Sequence, residues 1–142
     1  MLKETLTSLI GNLYAQYFNL HTFHWNIEGP NFKEMHEFAE GLYEDVFDSI
    51  DDFAEEMRQL GFESPLSLRG MLAASDIEEL DYVDMETIGE LEKNNADVLV
   101  SLYKVYQEAD KTKELGLVNL TQDRIQTHKK HEWMLKAFQS KV

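Results

Sequence analysis

Phe32-Lys33-Glu34-Met35-His36-Glu37-Phe38-Ala39-Glu40-Gly41-Leu42-Tyr43-Glu44-Asp45-Val46-Phe47-Asp48-Ser49-Ile50-Asp51-Asp52-Phe53-Ala54-Glu55-Glu56-Met57-Arg58-Gln59-Leu60 carries two stripes at helical spacing. Met35, Ala39, Leu42, Val46, Ile50, Phe53, Met57 and Leu60 recur every three or four residues, as the apolar face of an amphipathic helix does. Beside them run His36, Glu40, Tyr43, Phe47, Asp51 and Glu55. A bundle helix needs one apolar face; a second one, mixing aromatics with metal-capable groups, predicts packing against a neighbouring subunit.

Working outward, the segment from about Glu4 to Ile27 shows Leu6, Leu9, Ile10, Leu13, Tyr17, Leu20 and His24 on one stripe and stops at Gly29-Pro30. Gly61 ends the second helix. From there to Asp84 the connection is too long for an ordinary loop, and residues 66–72 within it have the pattern of a short crossing helix. A third long helix is expected from about Met85 to Lys113 with Asp84 as its N-cap, on Ile88, Leu91, Val98, Leu102, Val105, Tyr106 and Ala109. Gly116 is read as the break, and a fourth helix as running from about Thr121 to Ser140 with Ile125, Trp133, Met134, Leu135 and Phe138. Four long helices with one long central connection predict an all-α, ferritin-like four-helix bundle with a crossover that holds a short extra helix.

The 142 residues suffice for one domain with a substantial core. No stretch approaches the roughly 20 apolar residues of a membrane-spanning helix, so no membrane is expected as a partner. The opening residues Met1-Leu2-Lys3-Glu4-Thr5 lack the pattern of a secretory signal. The absence of cysteine excludes disulfides and thiolate chemistry and is compatible with a reducing, cytoplasmic compartment, the expected location. With 27 acidic and 13 basic residues the net charge is −14, which repels phosphate backbones and attracts cations.

His24, His36, Glu40, Asp51 and Glu55 combine imidazole and carboxylate, a donor set suited to first-row divalent metals. Singly, each is more commonly a core histidine or a solvated carboxylate. Together they are harder to dismiss, because the Gly29-Pro30 turn brings the end of the first helix to the start of the second, and Glu40 lies one turn from His36. Fifteen residues separate His36 from Asp51, about 22 Å along a helix, too far for one metal centre. Either two unrelated sites exist, or Asp51 and Glu55 come from another chain; antiparallel packing of two second helices about a two-fold axis, with Tyr43 and Phe47 near it, explains the second stripe as well. A di-iron site inside one bundle built on Glu-x-x-His motifs is disfavoured, since no glutamate is followed by histidine three places on. His21 is placed on a different part of the surface from His24. His128, His131 and Glu132, interspersed with Lys129 and Lys130, are read as a surface or interface cluster.

The run Thr22-Phe23-His24-Trp25-Asn26-Ile27-Glu28-Gly29-Pro30-Asn31-Phe32, continued by Met35-His36-Glu37, Leu42-Tyr43-Glu44-Asp45, Ile50-Asp51-Asp52-Phe53-Ala54-Glu55 and Lys130-His131-Glu132-Trp133, resembles the Dps family of mini-ferritins, which protect DNA during starvation. The resemblance spans nearly the whole chain and implies a single ferritin-like domain over residues 1–142. It implies further that His24, His36, Asp51 and Glu55 are ferroxidase ligands donated across a dimer interface. Iron(II) would be oxidised with hydrogen peroxide or oxygen, and ferric mineral stored in a hollow dodecamer. Trp25 matches an aromatic that relays an electron or packs beside the centre, and Asp123 fits a position lining the three-fold pore. Departures also stand out. Glu40 falls where the family commonly has aspartate, leaving it as ligand or neighbour; Val118 and Asn119 stand where a further pore acid is expected; only Lys3 precedes the first helix, and the chain ends at Lys141-Val142, so DNA binding is not expected. The competing reading is a catalytically weak metal-binding or structural cage.

Overall fold

The computed structural model of the chain describes residues 1–139. Five helices follow one another among them: α1 (Leu2–Asn26), α2 (Phe32–Gln59), α3 (Leu68–Ala73), α4 (Thr87–Lys111) and α5 (Leu115–Gln139). None is long and apolar enough to cross a membrane. The expected helix end at Ser140 lies outside the described residues.

Hydrogen bonds and ring contacts between helices define the topology. Asn12 Nδ2 donates to Ser101 Oγ at 2.6 Å and Gln16 Nε2 to Asn95 Oδ1 at 3.0 Å, so α1 and α4 run antiparallel. Asn95 Nδ2 donates to the His128 carbonyl and Gln139 Nε2 to Glu92, which sets α5 antiparallel to α4. Phe38 meets Phe138 at 4.3 Å between ring centres and Arg124 meets Asp45, so α2 and α5 are antiparallel too. Since α1 and α2 form a hairpin, α2 and α4 are parallel, and the chain must travel the length of the bundle between them. The connection carrying α3 does this, as a ferritin-like bundle requires. Ser67 caps α3 by accepting the Gly70 N–H at 3.0 Å. Where α3 crosses α1, a Cβ at Gly11 would lie 2.5 Å from the Met71 carbonyl, a close approach open only to glycine.

The core is built as the apolar stripes predict. Leu6, Leu9, Leu13 and Phe23 of α1 meet Met35, Val46, Phe53 and Met57 of α2, Val98, Leu102 and Val105 of α4, and Leu117 and Leu135 of α5, all nearly or fully buried. Each such side chain contributes about 1.5–3 kcal/mol by leaving water.

Boundaries differ from expectation in two places, for a stated reason in each. Asp84 does not cap the third long helix. Its carboxylate accepts the Glu86 N–H at 2.8 Å in a turn that precedes Thr87, and Glu86 is the N-cap. Gly116 does not break the chain either, because it lies inside α5. The break falls at Lys113, which takes φ +58° while the Glu114 N–H reaches back to the Ala109 carbonyl at 3.0 Å. Gly61 makes the same closure at φ +87°, with Phe62 N–H on the Met57 carbonyl at 2.8 Å. A lysine in the position that glycine usually fills left no sign in the sequence.

Candidate metal centre

The hairpin between α1 and α2 turns at Gly29, φ +121°, and brings the last turn of α1 against the first turn of α2. There His24 Nδ1–H donates to the His36 carbonyl at 2.7 Å, and His36 Nδ1–H donates to the His24 carbonyl at 2.7 Å. The His24 carbonyl belongs to the last turn of α1, where helical carbonyls lack partners, so the exchange satisfies a group that would otherwise be orphaned. A carbonyl oxygen only accepts, so both Nδ1 atoms carry hydrogen, and in the neutral imidazoles both Nε2 atoms present a lone pair. The rings stack at 3.6 Å with 14° between planes, which locks their orientation. Glu40 Oε1 lies 3.7 Å from His24 Nε2. Ligand atoms of His24, His36 and Glu40 all fall within 4.8 Å of one another, the one such trio of His, Cys, Asp or Glu among the described residues. Backbone acceptors that fix the tautomer and free Nε2 are the supporting arrangement typical of metal-bound histidine.

Asp51 and Glu55 lie on the same uninterrupted helix as His36, about 22 Å and about 28 Å further along it at 1.5 Å per residue, and both are exposed. Within one chain they do not join the trio. Like charge on Asp51, one turn back, and a hydrogen bond with it push the Glu55 carboxyl above its usual range. A divalent cation would relieve that repulsion.

Between the two ends, the outward side of α1 and α2 is aromatic. Tyr43 lies edge-on to His24 at 5.2 Å, Tyr17 touches Tyr43 at 5.9 Å and Phe47 at 4.9 Å, and Phe47 remains 47% exposed. Burial, then the neighbouring Glu40 and Glu44 charges, raise the Tyr43 phenol, which keeps it protonated at neutral pH. Trp25 is 56% exposed and lies tilted against His21, 3.9 Å between ring centres. Asp123 is exposed on α5, and its carbonyl accepts from Thr127 Oγ1.

Two sequence expectations fail here. His21 is not on a separate part of the surface. It sits between Trp25 and Tyr43, the latter 4.3 Å away, with its ring centre 6.2 Å from His24. Residues three apart on a helix are neighbours, and that spacing was the available signal. Nor are His128 and His131 surface groups: they are 0% and 5% exposed, in the middle of the bundle. The inward side of α5 reads Leu117, Thr121, Arg124, His128, His131 and Leu135, so a half-polar stripe faces the core. Lys129, Lys130 and Glu132 lie on the other side of the helix, where Lys129 Nζ reaches Glu132 Oε1 at 2.8 Å. Inside, Arg124 forms a two-pronged pair with Asp45 at 3.1 and 2.9 Å, and donates from Nη2 to His128 Nε2 at 2.8 Å. Burial holds His128 well below the usual histidine range, and lowers His131 to about 4 against the opposing pull of Asp45.

A family profile, Ferritin-like domain, matches residues 3–142. The DNA protection during starvation protein of Brevibacillus brevis is 30% identical over 94% of this chain and 91% of its own length. Its counterpart from Listeria monocytogenes is 29% identical over 99% and 92%. A solved Dps protein from Vibrio cholerae O1, described as a member of a broad superfamily of ferritin-like diiron-carboxylate proteins, superposes with a TM-score of 0.93 at 30% identity, covering 98% of this chain and 89% of that one. A crossover bundle of matching shape and end-to-end similarity at this level leave one assignment: the chain belongs to the ferritin-like domain family, in its Dps branch.

Proposed function

We propose that this protein is a ferroxidase and iron-storage mini-ferritin, a single domain over residues 1–142, whose working centre forms between two copies of the chain. His24 and His36 bind iron(II) through Nε2, Glu40 stands beside them, and Asp51 and Glu55 of a second copy complete the site. The observation that carries the reading is the reciprocal Nδ1–H to carbonyl pair of His24 and His36, which fixes two lone pairs on one side of the hairpin. The length of α2 supports the sharing, because antiparallel pairing of two such helices brings the carboxylate end of one to the histidine end of the other. Tyr43 and Phe47 then lie near the two-fold axis, which accounts for the exposure of Phe47.

Iron is the substrate and the cargo. Two iron(II) ions each release one electron to one hydrogen peroxide, whose O–O bond breaks; water then hydrolyses the ferric product to an oxyhydroxide and releases protons. Carboxylates and neutral imidazoles suit both steps, since they tolerate the rise in metal charge. Two-fold dimers further assemble into a hollow dodecamer that holds the mineral in the cytoplasm, and Asp123 marks a route for entry. A net charge of −14 favours cation uptake over DNA binding.

Apoprotein mixed with iron(II) and peroxide, followed by ferric absorbance, tests the chemistry. Asp51→Ala with Glu55→Ala is expected to slow oxidation by at least about tenfold. Oxidation at the wild-type rate would rule the shared centre out, and a native mass below that of a dimer would do the same.

A further inference from the structure

A polar cluster to which all four long helices contribute runs from the middle of the bundle out to Asp45, whose side chain is 38% exposed. Gln16 comes from α1, Asp45 from α2, Asn95 from α4, and Arg124, His128 and His131 from α5. The protonation pattern follows from the contacts. Asn95 Oδ1 accepts from Gln16 Nε2 at 3.0 Å and faces His128 Nδ1 at 2.9 Å; an amide oxygen only accepts, so His128 Nδ1 carries the hydrogen. His128 Nε2 is therefore a lone pair, and Arg124 Nη2 points at it from 2.8 Å. The same Nη2 lies 2.9 Å from Asp45 Oδ2, and His131 Nε2 approaches that oxygen at 3.4 Å. One cationic group thus touches an imidazole nitrogen and a carboxylate oxygen, with a second imidazole on the same oxygen. These are the donor types of the candidate metal centre at the hairpin.

We propose that this cluster is a second cation site, inside the bundle, whose permanent occupant is the Arg124 guanidinium, and that the arginine is what keeps divalent iron out of the bundle interior. Hydrogen-bond lengths of 2.8 and 2.9 Å hold the donors wider apart than a metal at about 2.0–2.2 Å would. As they stand, Asp45, His128 and His131 do not bring three ligand atoms within 4.8 Å of one another, as the hairpin trio does. Their remaining polar atoms match an incomplete fit to the guanidinium: His131 Nδ1, Gln16 Oε1 and Arg124 Nε are buried without a hydrogen-bond partner. A guanidinium is always charged and cannot be exchanged, so the interior is closed at every physiological pH. Removing its side chain leaves a carboxylate and two neutral imidazoles facing a space with no cation in it.

The test is equilibrium dialysis of the full-length protein against Co(II), with the visible absorbance of the bound ion as a second readout. Arg124→Ala is expected to bind one Co(II) per chain more than wild type, and Arg124→Ala with Asp45→Asn to lose that extra ion. Arg124→Ala protein that is folded yet binds the wild-type number of ions overturns the proposal, and so does an extra ion that survives Asp45→Asn. Should Arg124→Ala not fold unaided, its refolding with and without Zn(II) reads the same site. Helix recovered by Zn(II) in the single variant and not in the double variant supports the proposal, and no recovery in the single variant refutes it. Ferroxidase activity enters none of these measurements, so the shared centre between copies and this interior site stand or fall separately.

Discussion

Two regions of this molecule bring imidazoles and carboxylates together, and they end in opposite states. At the hairpin, His24 and His36 tie up their Nδ1 atoms on each other's carbonyls and leave Nε2 free beside a half-exposed Glu40. In the bundle interior, His128 spends Nδ1 on Asn95 and Nε2 on Arg124, while Asp45 is paired twice by the same arginine. The residue types are nearly the same. What differs is whether the fold supplies its own positive charge. Where it does, Asp45 and His128 are paired within the chain; where it does not, the two Nε2 atoms stay open to an external cation.

The contrast can be broken most forcefully from the inside. Phe53→Ala, at a fully buried position of α2, is expected to cost about 3–5 kcal/mol in urea unfolding. Asp45→Ala removes the partner of a nearly buried guanidinium and is expected to cost about 3 kcal/mol, the low end for a buried pair because Asp45 is partly exposed. A loss under about 1 kcal/mol would mean that the interior pair is not a structural neutralisation at all.

Acidification probes the same region more gently. His131 falls from 6.5 to about 4 in the folded chain, and burial also holds His128 well below the usual histidine range. A folded-state pKa below the unfolded one means that the unfolded chain takes up protons first as pH drops. The stability these neutral histidines contribute is therefore intact above about pH 6.5 and is lost progressively toward pH 4. His131 alone predicts a loss of roughly 2 kcal/mol between pH 7 and pH 5, read by urea titration at the two values. His131→Gln, which cannot titrate, should flatten that dependence.

The smallest effect on the chain's own stability is expected on the outward face. Phe47→Ala should change unfolding by less than about 0.5 kcal/mol in an isolated chain, since nearly half of the ring is already in water. Yet it should lower the native mass and the ferroxidase rate together if two α2 helices pair there. Activity retained by isolated monomers would separate the hairpin trio from any shared centre.

The hairpin was legible before any coordinates. Two long apolar stripes, interrupted by Gly29-Pro30, dictate antiparallel helices, and their lengths put His24 opposite His36 with Glu40 one turn away. The interior cluster was illegible for a specific reason. Inward positions of α5 are Thr121, Arg124, His128 and His131, so the usual rule that apolar residues face the core points to the wrong side of that helix. Lys129 and Lys130 then suggested a surface, although adjacent residues on a helix point about 100° apart.

The number and order of the long helices, the long crossover and the pairing of the first two helices follow from the sequence by itself, because periodic burial and backbone hydrogen bonding are local properties that a chain displays along its length. Only the tertiary structure decided which imidazoles are free. That depends on what faces each nitrogen across the bundle: a carbonyl oxygen of the partner helix at His24 and His36, a guanidinium and an amide at His128. Charge satisfaction is a property of groups brought together from distant positions, and no spacing within one helix encodes it.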